Sequence, residues 1–195
     1  MIGLLLIAAA YADAKPAGLD ARSPFVYRPA PALASDVLLG ATSAGALGVA
    51  IADWKAGESP DAMVGTVASL TLTMAATELT KRVSGRRRPY TWDASRPEFQ
   101  AAGYCESGPP IDDCKSFFSG HTSMVAVSSF SAAEALRASG ELGERAWLPY
   151  AAAGTLTVGM GALRVAAGKH YISDVAVGAA VGTALGVLVP RLFQR

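Results

Sequence analysis

Hydrophobic and polar positions divide this chain into long uncharged runs separated by short charged breaks. Four runs contain no Asp, Glu, Lys or Arg: Val37 to Ala52, Ala62 to Thr77, Trp147 to Leu163 and Val175 to Pro190. A fifth, Thr122 to Ala133, is more polar and ends at Glu134. All are rich in small and aliphatic residues, while the breaks hold the Gly, Pro and charged residues expected of helix ends. The pattern predicts an all-α domain: an up-and-down bundle of about five core helices. No repeat of 20 to 50 residues and no low-complexity linker interrupts it.

The N-terminal part reads differently. Ile2 to Ala10 is apolar, and Ala12-Asp13-Ala14 has the form of a cleavage site before Lys15, which predicts a signal peptide over residues 1–14. The positive residues that usually open such a leader are missing, so a truncated first transmembrane helix is the alternative reading. Residues 15–35 are rich in Pro and Ala without periodicity and are expected to form an extended arm. The domain proper then runs over 36–195, a length suited to one core.

Consecutive helices that run up and down bring separated residues to one end of the bundle. The end of the second run (Lys81), the start of the third (Ser119, His121), the end of the fourth (Arg164) and the start of the fifth (His170, Asp174) should meet there. His121 and His170 are the chain's two histidines, and histidine is the side chain suited to nucleophilic or acid–base work near neutrality. The net charge of +1 argues against a nucleic-acid partner, which would need an excess of cations. A small-molecule or lipid substrate fits better.

Three ordered blocks carry these residues: Lys81-x6-Arg88-Pro89, then Ser116-Phe117-Phe118-Ser119-Gly120-His121, then Arg164-x5-His170-x3-Asp174. Together they resemble the signature of the type 2 phosphatidic acid phosphatase superfamily, which joins bacterial acid phosphatases, membrane lipid phosphatases and vanadium haloperoxidases. The resemblance covers roughly Asp36 to Arg195. Two positions depart from the pattern: Phe118 stands where proline is usual before Ser-Gly-His, and Leu163 where serine is usual before the arginine.

The resemblance implies a phosphatase acting through a phosphohistidine on His170, with Asp174 holding the ring's other nitrogen and His121 serving as acid and then base. Lys81, Arg88 and Arg164, with Ser119 and Gly120 at a helix start, would bind the phosphoryl oxygens. A soluble periplasmic acid phosphatase is the alternative; a vanadate-dependent haloperoxidase and a non-catalytic phosphate-binding protein stand behind it. No metal or other cofactor is expected, because side chains supply the positive charge.

Arg82, Arg86 and Arg87 read as solvated charges at a helix end, and Asp112 and Asp113 as solvated acids rather than metal ligands. Gly168-Lys169 resembles the end of a phosphate-binding P-loop but lacks the upstream glycine, and no Gly-x-Ser-x-Gly elbow occurs. Cys105 and Cys114 fall in a Gly/Pro/Asp-rich loop, and outside the cytoplasm a disulfide between them is expected.

Runs of sixteen or seventeen residues reach about 25 Å, short of a ~30 Å hydrocarbon core but extendable by flanking residues. Trp54, Trp147 and Phe193 at one end and Tyr90, Trp92 and Tyr171 at the other resemble interfacial aromatic belts. Against this, five Lys and Arg fall at the inner end and nine at the motif end, the reverse of the positive-inside rule. Phosphate binding needs several of the nine. The expectation is a bacterial membrane protein with its site facing the periplasm, and a soluble periplasmic protein is the alternative.

Overall fold

A computed structural model describes residues 16–56, 59–99, 104–105 and 112–194. The predicted leader, residues 1–14, lies outside them. Five long helices form an all-α bundle: α1 Pro29–Lys55, α2 Asp61–Ser84, α3 Gly120–Ala138, α4 Leu148–Ala166 and α5 Ile172–Arg191. Short 3-10 turns occupy the connections, including Pro89–Trp92 and Asp112–Cys114 between α2 and α3.

Each helix is longer than its uncharged run because charged residues sit in its terminal turns, where the helix dipole favours them: Asp61 opens α2, and Lys81 and Arg82 close it. Gly85 ends α2 at φ 55°, the left-handed conformation that stops a helix with least strain. The predicted arm is shorter than expected, since residues 29–35 already belong to α1. Pro29 occupies its first turn, where a missing N–H and a fixed φ are compatible with a helix.

α3 is the central element and packs against the other four. Val125, Ala126, Val127 and Ala133 on it are fully buried. α5 approaches it through a stripe of glycines four residues apart. A Cβ at Gly178, Gly182 or Gly186 would come within 2.6, 2.2 or 2.9 Å of the carbonyl oxygens of Ser119, Ser123 and Val127. Only glycine permits this contact, a small-residue packing mode common between membrane helices. It sets the start of α5 against the start of α3.

The bundle's interior is small and partly polar, with hydroxyls paired across helices: Ser69 with Ser131 at 2.9 Å and Thr77 with Ser123 at 3.2 Å. Its outside is apolar. Leu33, Val37, Leu47 and Ile51 on α1, Val64, Val67, Leu72 and Met74 on α2, Val158 on α4 and Leu188 on α5 are all exposed. Among the described residues, three segments are long and apolar enough to cross a membrane: Pro29–Lys55, Asp61–Trp92 and Ile172–Arg191. At the end away from the motifs, buried Glu134 binds Arg137 at 2.9 Å and Arg191 at 2.7 Å, which ties α3 to α5.

Candidate active site

The motif-bearing helix ends converge on one cavity of about 200 Å³, lined by Lys81, Arg88, His121, Arg164, Lys169, His170, Tyr27, Ala32, Asp36 and Asp112. Four of these are permanent or near-permanent cations, so the cavity is built for an anion.

His170 ends the short loop between α4 and α5, and Gly168 at φ 71° turns the chain toward it. The ring is buried, with Nε2 3.4 Å from Arg88 Nη1. Nδ1 lies 3.6 Å from Asp174 Oδ2, an ion-pair distance but longer than a hydrogen bond, and has no hydrogen-bond partner. Asp174 lies in the first turn of α5, four residues after His170, and is fully buried. Its Oδ2 accepts from Ser116 Oγ at 2.5 Å and from the Tyr171 N–H at 3.0 Å, and its Oδ1 from Arg86 Nη1 at 2.6 Å. These bonds fix the carboxylate beside the ring, with Oδ2 3.6 Å from the nitrogen that Asp174 is expected to hold.

His121 stands in the first turn of α3, with Nε2 2.8 Å from Asp36 Oδ1 on α1. Both histidines lie outside the three candidate spans. Burial pushes His170 down to about 3, against the pull of Asp174. Burial, followed by Arg164, pushes His121 down to about 4, against the pull of Asp36. Both rings are therefore neutral in the empty cavity near neutrality. A dianion bound there would offset the cations and make protonation easier.

The cations are held in different ways. Arg88 Nε donates to the Asp112 carbonyl at 2.8 Å and Nη2 to the Asp112 carboxylate at 2.9 Å. Arg164 Nη1 donates to Ser35 Oγ at 2.9 Å, while its buried Nε has no partner. Lys81 Nζ lies 3.9 Å from Glu78 Oε1. Lys169 rests over the Tyr27 ring at 5.1 Å, and burial, with Arg88 and Arg164 nearby, holds it below the ordinary lysine value.

Ser119 and Gly120 lie outside the cavity lining. Ser119 is buried as the cap of α3, its hydroxyl 2.9 Å from Thr122 Oγ1. Gly120 packs on Lys81, whose Nζ would be 3.3 Å from an added Cβ. Ser119 is buried and Gly120 half-buried, so together they form a largely covered start of α3 beside the Lys81 ammonium.

Four residues expected to be solvated are structural partners. Arg86 pairs with Asp174 and, at 2.7 Å, with Asp20. Arg87 is buried, donates to the Thr91 and Phe99 carbonyls at 2.7 Å, and stacks 4.2 Å over Trp92. Asp112 grips Arg88, and Asp113 accepts from the hydroxyls of Tyr90 and Tyr104. Arg82 is exposed. Cys105 and Cys114 form a disulfide in the same loop. The backbone ties that loop to the site, since Arg88 N–H donates to the Asp113 carbonyl and Ser116 N–H to the Arg86 carbonyl.

A family model described as the PAP2 superfamily matches residues 62–195. The chain belongs to this superfamily. Neither the curated proteins nor the solved structures yield a match. Membership carries phosphatase-type activity, and the matched segment contains Lys81, Arg88, His121, Arg164, His170 and Asp174. Tyr27, Asp36 and the supporting Asp20 precede it. Their roles were missed in the sequence because each acts through a contact far along the chain, 85 residues in the Asp36–His121 case. One signal was present: an aspartate inside an apolar helix long enough to cross a membrane is a functional candidate by itself.

Proposed function

We propose that this PAP2 protein hydrolyses a lipid phosphomonoester or diphosphate at the periplasmic face of a bacterial membrane, through a phosphohistidine at His170. The observation that carries this reading is the shared cavity: two imidazoles and four basic side chains around a space of about 200 Å³. His170 Nε2 attacks phosphorus while Lys81, Arg88 and Arg164 neutralise the equatorial oxygens, the main requirement of phosphoryl transfer. Asp174 stabilises the positive charge that grows on the attacking ring. His121 protonates the leaving oxygen and then takes a proton from the water that cleaves the phosphohistidine.

The lipid assignment is supported by the mouth of the cavity. Ala32 and Asp36 line it, and on the same stretch of α1 Leu33 and Val37 are 66% and 65% exposed. An acyl or isoprenyl chain attached to a bound phosphate would find apolar surface at the exit.

The test is rapid quenching into base of enzyme turning over a labelled substrate, together with a panel of phosphatidic acid, isoprenyl diphosphate and a chromogenic monoester. Acid-labile, base-stable label on the wild type and none on His170→Ala is expected, with turnover of the variant abolished. Near wild-type turnover by His170→Ala would overturn the assignment. A preference for the chromogenic monoester over both lipids would overturn the lipid substrate.

A further inference from the structure

Two carboxylates face a cavity built for an anion. Asp112 is explained by Arg88, which it orients through two hydrogen bonds. Asp36 has a different neighbour. Its Oδ1 lies 2.8 Å from His121 Nε2 and 3.7 Å from Arg164 Nη1, and its side chain is 61% exposed. Negative charge at this point weakens the binding of a phosphate, so a compensating task is expected in the chemical step.

We propose that Asp36 is a positioning residue for His121: its carboxylate accepts the Nε2 proton, fixes the tautomer of the ring and stabilises its imidazolium form. The inference rests on the assignment of His121 as acid and base. With Nε2 committed to Asp36, Nδ1 is the nitrogen that exchanges a proton with the substrate. In the first step the His170 Nε2 lone pair forms the N–P bond. The P–O bond breaks toward the leaving oxygen, which takes the Nδ1 proton and leaves His121 neutral. In the second step Nδ1 takes a proton from water, the water oxygen bonds to phosphorus, and the N–P electron pair returns to His170. Asp36 keeps the imidazolium available for the first transfer, makes Nδ1 a better base for the second, and holds the ring in line for both, as the aspartate of a Ser-His-Asp triad does.

The groups facing His121 are Asp36 from α1, Lys81 from α2 and Arg164 from α4. Arg88, Asp112, Lys169 and His170 lie around the same cavity. Burial, Arg164 and Lys81 disfavour the imidazolium, and Asp36 favours it. Removing Asp36 therefore makes His121 harder to protonate.

The experiment compares the full chain with Asp36→Asn and Asp36→Glu, using an alkyl phosphate, whose leaving group needs a proton, and p-nitrophenyl phosphate, whose leaving group does not. For Asp36→Asn, kcat on the alkyl phosphate should fall about 10- to 100-fold without a rise in KM, less than the roughly 10²- to 10⁴-fold that acid–base catalysis contributes, because His121 itself is retained. The alkaline limb of its pH profile should move to lower pH. With p-nitrophenyl phosphate, phosphohistidine should form at the wild-type rate but accumulate, because its hydrolysis still needs His121. Asp36→Glu should restore part of the rate.

Retained inhibition by vanadate checks that the cavity is intact in Asp36→Asn; if it is lost, Asp36→Glu is judged by the same leaving-group split and pH limb. A variant with unchanged kcat and pH limb but lower KM would assign Asp36 to charge compensation alone and overturn the proposal. Trapped phosphohistidine in the wild type separates that result from failure of the site assignment. Its absence would remove both.

Discussion

Arg82, Arg86 and Arg87 stand close together at the end of one helix and meet different environments. Arg82 faces solvent, whereas Arg86 lies between Asp174 and Asp20, and Asp20 also accepts from the Ser173 N–H at 2.9 Å and from its hydroxyl at 2.6 Å. One guanidinium thus joins the segment before α1, the end of α2 and the start of α5 behind His170. Breaking a buried ion pair on one side leaves an uncompensated charge and typically costs about 3–5 kcal/mol. Arg86→Ala is therefore expected to lower the melting temperature in detergent clearly and to reduce turnover, because Asp174 loses the partner that holds it. Arg82→Ala should leave both near wild type. Equal, small effects from the two would show that the Arg86–Asp174 contact does not set the position of the site.

At the scale of elements, the tight α3–α5 contact governs the geometry of the proposed site, since the first turn of α3 carries His121 and the loop into α5 carries His170. Gly182→Ala would place a methyl 2.2 Å from the Ser123 carbonyl oxygen and 2.7 Å from Ala126 Cβ, so the helices must separate. Overpacking of this kind costs about 1–3 kcal/mol, and a shift of ~1 Å between reacting groups can cost about a hundredfold in rate. Gly159→Ala on α4 is the control, because its Cβ would meet nothing within 4 Å and alanine is the better helix former. Circular dichroism melts and single-turnover rates on the pair give the check, and equal behaviour of the two would refute the packing argument. The five helices were legible because uncharged runs of this length have few alternatives. Their convergence at one end followed from alternation. What the sequence hid were the fates of charged residues: Arg86, Arg87, Asp112 and Asp113 look the same in a pattern whether they meet water or a buried partner. The start of α1 was hidden for a local reason, since prolines that end most helices also open them.

The distribution of side chains over the whole molecule is inverted relative to a water-soluble bundle. Fully buried positions include Ser35, Ser69, Thr73, Ser123, Ser128 and Ser131, while Leu33, Val37, Leu72, Met74, Val158 and Leu188 are each at least half exposed. Apolar burial at Val125, Val127 and Met160 is supplemented by close packing of small residues and by interhelical hydroxyl pairs, the contacts that hold helices together where the surrounding solvent is itself apolar. The three candidate spans are long and apolar enough to cross a membrane, and the proposed site lies at one end of the bundle. A single substitution distinguishes lipid from water around this surface. Leu72 lies midway along α2 and is 50% exposed. In water, Leu72→Arg is a surface change of within about 0.5 kcal/mol and improves solubility. In a bilayer the same arginine sits near the centre of a span and costs about 2.5–3.5 kcal/mol by insertion scales. Leu72→Arg is accordingly expected to lower the amount of protein recovered in the membrane fraction several-fold, while Arg82→Lys, at the helix end, changes nothing. The measurement is quantitative immunoblotting of membrane and soluble fractions after alkaline carbonate washing. Full recovery of active Leu72→Arg in the soluble fraction would show that water, not lipid, surrounds α2.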